Sequence, residues 1–258
     1  PRSTPIKASA ASDVYKRQSD QIWNNNITGN GGAYFAVDCN VKKISYAASL
    51  GTTQLNETQK SNIINYLPSF SSISVREPGS AEQLTKILHR EIQVVLDPVF
   101  LLDRDEWRKL SRPVSVDSNY LFLYFLQENE KLLECAKKYA EENGLKIYEV
   151  HPTLATRHNG CKRLENVGPK EFIWLIENAS CVCTNSFHAT AFSTIFRKKL
   201  IHIPNSKSPE RTTSLLERVG IELKTDKEFP FYDISLCDDT NLNFEIEKSK
   251  KFLDAVLS

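Results

Sequence analysis

Apolar and polar residues alternate with two different periodicities along this 258-residue chain. Short apolar runs, typical of strands, are followed by segments with apolar residues three and four positions apart, which indicate helices. Predicted strands cover 42–49, 71–77, 92–98, 120–126, 145–150, 180–184 and 199–204, and predicted helices cover 56–67, 80–90, 129–144, 168–179, 187–196, 209–219 and 243–258. This alternation predicts an α/β fold with parallel sheets that helices cover on both faces.

Domain boundaries are predicted where the chain shows neither strand-like nor helix-like spacing of apolar residues. The loop-like stretch SRPVSVDS at 111–118 favours a first domain over 19–112 and a second over 113–230, followed by a tail helix over 231–258. Residues 1–18 have no apolar periodicity, and SDVYKRQ resembles translated sequencing-adapter read-through. The chain also contains no methionine. We therefore expect a non-native leader and a natural protein that extends further at its N-terminus.

Composition narrows the class of protein. The formal net charge is +1 and no basic stripe is present, which argues against nucleic acid as a partner. The sequence contains no apolar run long enough for a transmembrane segment and no secretory signal. Cys181 and Cys183 lie in an apolar strand pattern and are predicted to pack in the core, while the scattered cysteines favour a reducing compartment. We expect a cytoplasmic location, including the inner face of a membrane.

The stretch CTNSFHATAFSTIF at 183–196 carries the strongest candidate site. A strand ends at Thr184, and Ser186 is predicted to cap the helix that follows. His188 then lies in the first helical turn, where unsatisfied N–H groups and the positive end of the helix dipole attract anions. A histidine there can donate to a phosphate or exchange protons. Alternatively, it caps or packs locally.

Other candidates follow predicted strands, because ligands bind at the carboxyl ends of parallel strands. Arg76 can present its planar fork to a carboxylate or phosphate, or pair with Glu77 or another acid. Arg211 opens a helix, where a bound anion would offset its unfavourable interaction with the dipole. Ser49 and Asn185 also follow strands directly.

Two further residues have weaker signals. Asp97 and His151 are cleft candidates, or residues of ordinary turns, whereas His89, His158 and His202 are interpreted as structural or solvated. Dinucleotide, Walker and hydrolase-elbow motifs are missing from the sequence, so those sites have no support.

In combination, these segments resemble the polysaccharide pyruvyl transferase family. The resemblance covers most of residues 19–220. Its carriers are SDQIWN (19–24), KKISYAASLG (42–51), ISVREPGS (73–80), VVLDPVFLLDRDEW (94–107), VGPKEFIWLIENASCVCTNSFHATAFSTIF (167–196) and SLLERVGI (214–221). The ordered combination is specific, although each piece alone is not.

The resemblance implies a fold of glycosyltransferase-B type, with two Rossmann-like domains of which the N-terminal one is incomplete here. It implies transfer of pyruvyl from phosphoenolpyruvate to two hydroxyls of a glycan or lipid-linked sugar, giving a ketal in cell-surface polysaccharide biosynthesis. It requires no cofactor and no metal.

The resemblance also implies roles for individual residues. His188 matches the motif histidine and would act as an acid or phosphate donor. Asp20 would orient or deprotonate the acceptor hydroxyl, and Arg76 would hold an anionic group of the donor. The candidate substrate-binding set is Arg76, Arg211, Ser186, Asn185 and Ser49.

The chain departs from the family pattern at one point. Some members have Arg-Leu-His where this chain has Ser186-Phe187-His188, so the phosphate-binding charge would come from Arg211 or Lys207. Two other functions stay open: a nucleotide-sugar glycosyltransferase, and a non-catalytic module that binds glycan or a partner enzyme.

Overall fold

The computed structural model describes residues 14–24, 28, 32–37, 41–52, 54–151, 157–205, 209–224 and 228–258, with only the backbone of 14–20, 32 and 33. The described chain forms two compact units. The first contains the residues up to Leu101 together with Asn243–Ser258, and the second contains Leu102–Leu242. The sequence had predicted the boundary slightly later, at residue 112.

The first unit is built on a four-stranded parallel sheet with strand order β1-β2-β3-β4. The strands are β1 (Val14–Asp20), β2 (Lys42–Ala48), β3 (Ser72–Val75) and β4 (Gln93–Val94). Its helices are α1 (Glu57–Tyr66) and α2 (Pro78–Leu88). The interior around Trp23, Phe70 and Leu67 is almost fully buried.

Local sequence signals explain where both helices start. Asn56 caps α1 by accepting a hydrogen bond from the Gln59 N–H, and the Gln59 side-chain oxygen accepts one from the Asn56 backbone N–H. Helix α2 begins at Pro78, earlier than predicted, because proline suits the first helical position. Its C-cap residue, His89, has the left-handed conformation, φ 51°.

Residues 14–18, expected to be a leader outside the fold, form most of β1. Their backbone pairs in parallel with β2, from Val14 opposite Lys42 to Gln18 opposite Tyr46. Residues 14–18 show no apolar alternation, so the strand is defined only by its pairing with β2.

The second unit contains a six-stranded sheet of order β10-β9-β8-β5-β6-β7, in which β10 alone is antiparallel. The strands are β5 (Tyr120–Tyr124), β6 (Lys146–Val150), β7 (Cys161–Arg163), β8 (Cys181–Thr184), β9 (Lys199–His202) and β10 (Phe231–Asp233). The helices are α3 (Arg104–Leu110), α4 (Glu130–Glu142), α5 (Pro169–Asn178), α6 (Phe187–Ile195) and α7 (Glu210–Arg218). The sequence pattern does not predict β7, β10 or α3.

The centre of this sheet matches its sequence pattern. Strands β5 and β8 are neighbours with Leu121 opposite Cys181 and Leu123 opposite Cys183, and all four side chains are fully buried. Burial raises the pKa of both thiols, which keeps them protonated. The prediction that Cys181 and Cys183 pack in the core is confirmed.

The last helix, α8 (Thr240–Leu257), packs on the first unit from Asn243 onward. The Ser249 hydroxyl accepts a hydrogen bond from the Leu96 N–H at 2.8 Å, and Phe252 lies 6.3 Å from the Tyr46 ring. The predicted tail helix over 231–258 is therefore shorter than expected, because 231–233 is strand β10 and the helix starts at Thr240.

The predicted α/β class with parallel sheets is confirmed in both units. Within the described residues, every helix is too short or too polar to span a bilayer.

Candidate functional site

Both sheets bring the predicted site residues to the carboxyl ends of their strands. Ser49 and Arg76 follow β2 and β3 in the first unit, where the Arg76 N–H donates to the Ala48 carbonyl at 3.2 Å. Asn185, Ser186, His188 and Arg211 follow β8 and β9 in the second unit. Asp20 is the last residue of β1, and its side chain lies outside the described atoms.

Arg76 is buried in an ion-pair network. Its Nε donates to Glu77 Oε1 at 2.7 Å, and its Nη1 donates to Asp97 Oδ2 at 2.8 Å. All three side chains are at most 4% exposed. The guanidinium fork therefore faces two carboxylates, as the alternative interpretation of Arg76 required, and Asp97 belongs to this network. Its role in substrate binding stays a prediction.

Ser49 organises a tight turn after β2. Its fully buried hydroxyl accepts a hydrogen bond from the Gly51 N–H at 3.1 Å. Gly51 has φ +67°, and a Cβ there would lie 2.2 Å from Gln21 Oε1 and 2.5 Å from Asn24 Nδ2. Only glycine allows this approach, which brings the SDQIWN and SLG segments together.

The start of α6 in the second unit matches its prediction. Ser186 caps the helix by accepting the Ala189 N–H at 3.4 Å, which places His188 in the first turn. The Thr184 hydroxyl accepts the Ser186 N–H at 3.0 Å and donates to the Tyr124 carbonyl at 2.8 Å. The strand end and the helix start are thus held together by side chains.

Asn185 clamps the neighbouring loop. Its Oδ1 accepts the Leu126 N–H at 2.8 Å, and its Nδ2 donates to the Gln127 carbonyl at 2.6 Å. The side chain is 3% exposed. These contacts explain why an asparagine follows β8 without reference to a ligand, and its predicted role in substrate binding stays a prediction.

His188 and Arg211 come together across one aromatic ring. The His188 ring lies edge-on to Phe187 at 5.5 Å, and the Arg211 guanidinium carbon lies 5.5 Å from the centre of the same ring. Both polar residues are half-buried, whereas Phe187 is buried. The imidazole in the first turn of α6 and the guanidinium in the first turn of α7 therefore both lie at the ring of Phe187. Lys207, the alternative cation, lies outside the described residues.

His202 connects the end of β8, which precedes α6, to the first turn of α7. It is fully buried, with Nδ1 2.9 Å from the Thr184 carbonyl and Nε2 2.7 Å from Thr212 Oγ1. A carbonyl only accepts, so Nδ1 carries the proton and Nε2 accepts from the Thr212 hydroxyl. Burial lowers the pKa of His202 to about 4, so the ring is neutral at pH 7. The interpretation of His202 as structural is confirmed.

This buried histidine predicts a pH-dependent stability. Between pH 6.5 and 4 the unfolded chain binds a proton at residue 202 that the folded chain does not, so stability falls as the pH drops. The full shift corresponds to about 3 kcal/mol. Urea unfolding of the wild type and of His202→Asn, which keeps a donor for Thr184, should show the advantage of the wild type shrinking from pH 7 to pH 4.5. An advantage that is constant with pH would contradict the assignment.

A histidine–glutamate cluster at the ends of β5 and β6 was missed. It comprises His151, His158, Glu128 and Glu149, which contact one another at 2.7–3.1 Å. The available signal was Glu149, a carboxylate between the apolar residues Tyr148 and Val150 of a predicted strand. From the sequence, His158 is interpreted as structural or solvated, and no short motif joins it to His151. Across the described residues, no group of three His, Cys, Asp or Glu side chains has a geometry suited to a metal ion.

Solved structures with a similar fold are sugar-nucleotide enzymes. The UDP-GlcNAc 2-epimerase from Neisseria meningitidis bound to UDP-GlcNAc aligns with a TM-score of 0.55 at 12% identity, over 95% of this chain and 76% of that chain. The Methanocaldococcus jannaschii UDP-GlcNAc 2-epimerase in complex with UDP-GlcNAc and UDP aligns with a TM-score of 0.52 at 13% identity, over 93% and 75%. At such identities the similarity concerns the fold, which is the two-domain Rossmann-like arrangement of glycosyltransferase-B type.

Sequence comparison identifies the family. No curated protein matches the chain. The sequence model named polysaccharide pyruvyl transferase matches residues 11–207, which include β1 to β9, the Arg76 network and the start of α6. The chain therefore belongs to the polysaccharide pyruvyl transferase family.

Proposed function

We propose that this protein transfers the pyruvyl group of phosphoenolpyruvate to two hydroxyls of a sugar, forming a ketal and releasing phosphate. The single observation that carries the proposal is His188 in the first turn of α6, with Arg211 at the same Phe187 ring, in a chain of this family. Family membership supports a transferase, and the local geometry supports an anionic substrate.

The chemistry needs what this edge of the sheet can supply. The phosphate of the donor carries negative charge, which a guanidinium and the positive end of a helix dipole stabilise. The imidazole of His188 can donate a hydrogen bond to the departing phosphate or transfer a proton to it. Arg211, in the first turn of α7, would then be stabilised by the anion rather than strained by the dipole.

The proposal extends to the acceptor and the setting. A glycan or lipid-linked sugar supplies the two hydroxyls, and the product is a building block of a cell-surface polysaccharide. Phosphoenolpyruvate is a cytoplasmic metabolite, so the reaction belongs in the cytoplasm, including the inner face of the membrane. The chemistry uses no redox step, so we propose that no cofactor takes part.

The test is a direct assay of the purified chain. Phosphoenolpyruvate is added with a panel of sugar acceptors, nucleotide-linked and lipid-linked, and both phosphate release and pyruvate-ketal formation are measured by mass spectrometry. Phosphate release that depends on the acceptor and is matched by ketal formation is the expected result.

Titration of a nucleotide sugar distinguishes the proposed function from its two alternatives. The structurally similar epimerases were crystallised with UDP-GlcNAc, so the same nucleotide sugar is titrated by calorimetry beside phosphoenolpyruvate. Binding of UDP-GlcNAc without binding of phosphoenolpyruvate, and without ketal formation, would favour a nucleotide-sugar transferase instead. Binding of a glycan alone, with no turnover, would favour a non-catalytic module.

A further inference from the structure

His158 lies between two carboxylates of very different exposure. Its Nδ1 is 2.7 Å from Glu149 Oε2, and its Nε2 is 3.1 Å from Glu128 Oε1. The Glu149 side chain is 1% exposed, whereas that of Glu128 is 47% exposed. One ring nitrogen thus faces the protein interior and the other faces a carboxylate at the surface.

Hydrogen-bond counting assigns a proton to this unit. A neutral imidazole has one N–H, and an ionised carboxylate only accepts. Both ring nitrogens of His158 face carboxylate oxygens, so both contacts are satisfied only when the unit holds one proton more than a neutral ring and two ionised carboxylates. The Glu149–His158–Glu128 unit is therefore built to hold a proton that it can release.

The surroundings limit where that proton can go. The Phe125 ring lies 5.4 Å from both the His151 and His158 rings and forms an apolar wall. The His151 Nε2 lies 2.8 Å from the second oxygen of Glu128. Exchange with solvent or substrate therefore takes place on the exposed side, at Glu128 and His158 Nε2.

Two neighbouring ionisable side chains, Cys161 and Arg163, lie close to the unit. Cys161 lies on β7 near Glu149, and its pKa is raised to about 11, first by burial and then by that carboxylate, so it stays a neutral thiol. Arg163, also on β7, donates from Nη2 to the His151 carbonyl at 3.2 Å. Glu149 Oε1 has no hydrogen-bond partner among the residues that the structure describes. The Glu149 carboxylate therefore contacts the His158 ring through Oε2 and the neutral Cys161 thiol.

The unit lies at the same sheet edge as the start of α6. Strand β5 separates β6 from β8, so the ends of β6 and β8 lie about 10 Å apart. Asn185, directly before the helix cap, holds the backbone of Leu126 and Gln127, the residues that lead into Glu128. A bound donor would place its phosphate at the first turn of α6. The remainder of the donor and the sugar ring of the acceptor would lie toward β6.

Building on the proposed function, we propose that His158 is the acid that protonates the methylene carbon of phosphoenolpyruvate. Glu149 is a positioning residue that orients the ring through Nδ1, and Glu128 moves aside from Nε2 when substrate binds. The proton leaves Nε2 and forms the new C–H bond with the electrons of the enol double bond. A hydroxyl of the acceptor forms the first C–O bond to the adjacent carbon.

The remaining protons balance the reaction. Glu128 accepts the proton of the first hydroxyl and passes it to His158 Nε2 when the two groups are again in contact after product release, which resets the unit. Phosphate then departs as its C–O bond breaks, and the second hydroxyl forms the second C–O bond at the same carbon. Its proton leaves with the phosphate, on the His188 side. Two hydroxyl protons are released, and one is taken up by carbon and one by phosphate.

The experiment compares His158→Asn with the wild type in the ketal assay. Asparagine keeps an N–H near the Nδ1 position for the buried Glu149, but it has no proton to transfer at the position of Nε2. We expect kcat to fall by about 10²–10⁴-fold. The decline of wild-type kcat toward high pH, where the acid is lost, should vanish in the variant.

A second variant covers the possibility that His158→Asn does not fold. Glu149→Gln keeps the shape but removes the negative charge that stabilises the protonated ring, so the high-pH decline of kcat should move to lower pH. His89→Asn is the matched control, because His89 is an exposed residue at φ 51°, a conformation that asparagine tolerates.

Each outcome decides the inference. If folded His158→Asn and Glu149→Gln keep kcat within about threefold and the same pH profile while the wild type forms ketal, the inference is wrong and the proposed function stands. If the wild type forms no ketal with any acceptor, the proposed function fails and the inference fails with it.

Discussion

Replacing His188 with alanine is expected to lower kcat for ketal formation by about 10²–10⁴-fold, the range for loss of a general acid. His188 lies in the first turn of α6, which is capped by Ser186 and linked to α7 through Phe187 and Arg211. The measurement is acceptor-dependent phosphate release under saturating phosphoenolpyruvate. Thermal unfolding should change little, because the side chain is half-buried and does not belong to the central core.

Comparison of His188→Gln with His188→Ala separates proton transfer from anion binding. His188→Gln keeps one hydrogen-bond donor for phosphate but cannot transfer a proton, so it should restore binding of phosphoenolpyruvate without restoring kcat. His89→Ala, at an exposed helix end, should behave as the wild type. If His188→Ala retains wild-type kcat, the residue is only a packed part of the helix start and the proposed role is wrong.

Replacing Arg76 with methionine is expected to lower the free energy of unfolding by about 3–5 kcal/mol, the cost of breaking a buried ion pair. The substitution leaves the Glu77 and Asp97 carboxylates buried beside each other with their shared cation removed. Chemical denaturation at pH 7 measures the loss directly. The large value follows from desolvation, since all three side chains are nearly inaccessible to water.

The control removes both carboxylates as well. A triple variant, Arg76→Met with Glu77→Gln and Asp97→Asn, leaves no buried charge in this network and should recover most of the lost stability. An unchanged stability of Arg76→Met, together with a loss of phosphoenolpyruvate binding, would show instead that the arginine serves the substrate and that the ion pairs are incidental. The two roles therefore predict opposite readouts.

The local parts of the fold could be read from the sequence. The apolar runs placed β5, β6, β8 and β9 within a few residues, and Ser186 marked the start of its helix correctly. Cap recognition works from sequence because the side chain bonds to an N–H only three residues away. The position of His188 in a first turn was predictable for the same reason.

The short edge strands were not predictable. β7 and β10 have three residues each, too few for alternation to be distinguished from a loop, and β1 has a polar sequence. Such strands form because a neighbouring strand offers unpaired backbone groups. That neighbour is 28 residues away for β1 and 32 residues away for β10, counted between the paired Val14 and Lys42 and between Tyr232 and Leu200.

The same distinction between local and long-range contacts applies to the candidate site. The sequence by itself determined the α/β class, the helix that carries His188 and a set of polar residues at strand ends, because these depend on periodicity and on contacts within a few residues. Only the tertiary structure decided what those residues face. It turned Arg76 toward Glu77 and Asp97, brought Arg211 over Phe187, and assembled His151, His158, Glu128 and Glu149 from three separate segments. Which charges meet depends on strand order in the sheet, and strand order joins residues that no local pattern connects.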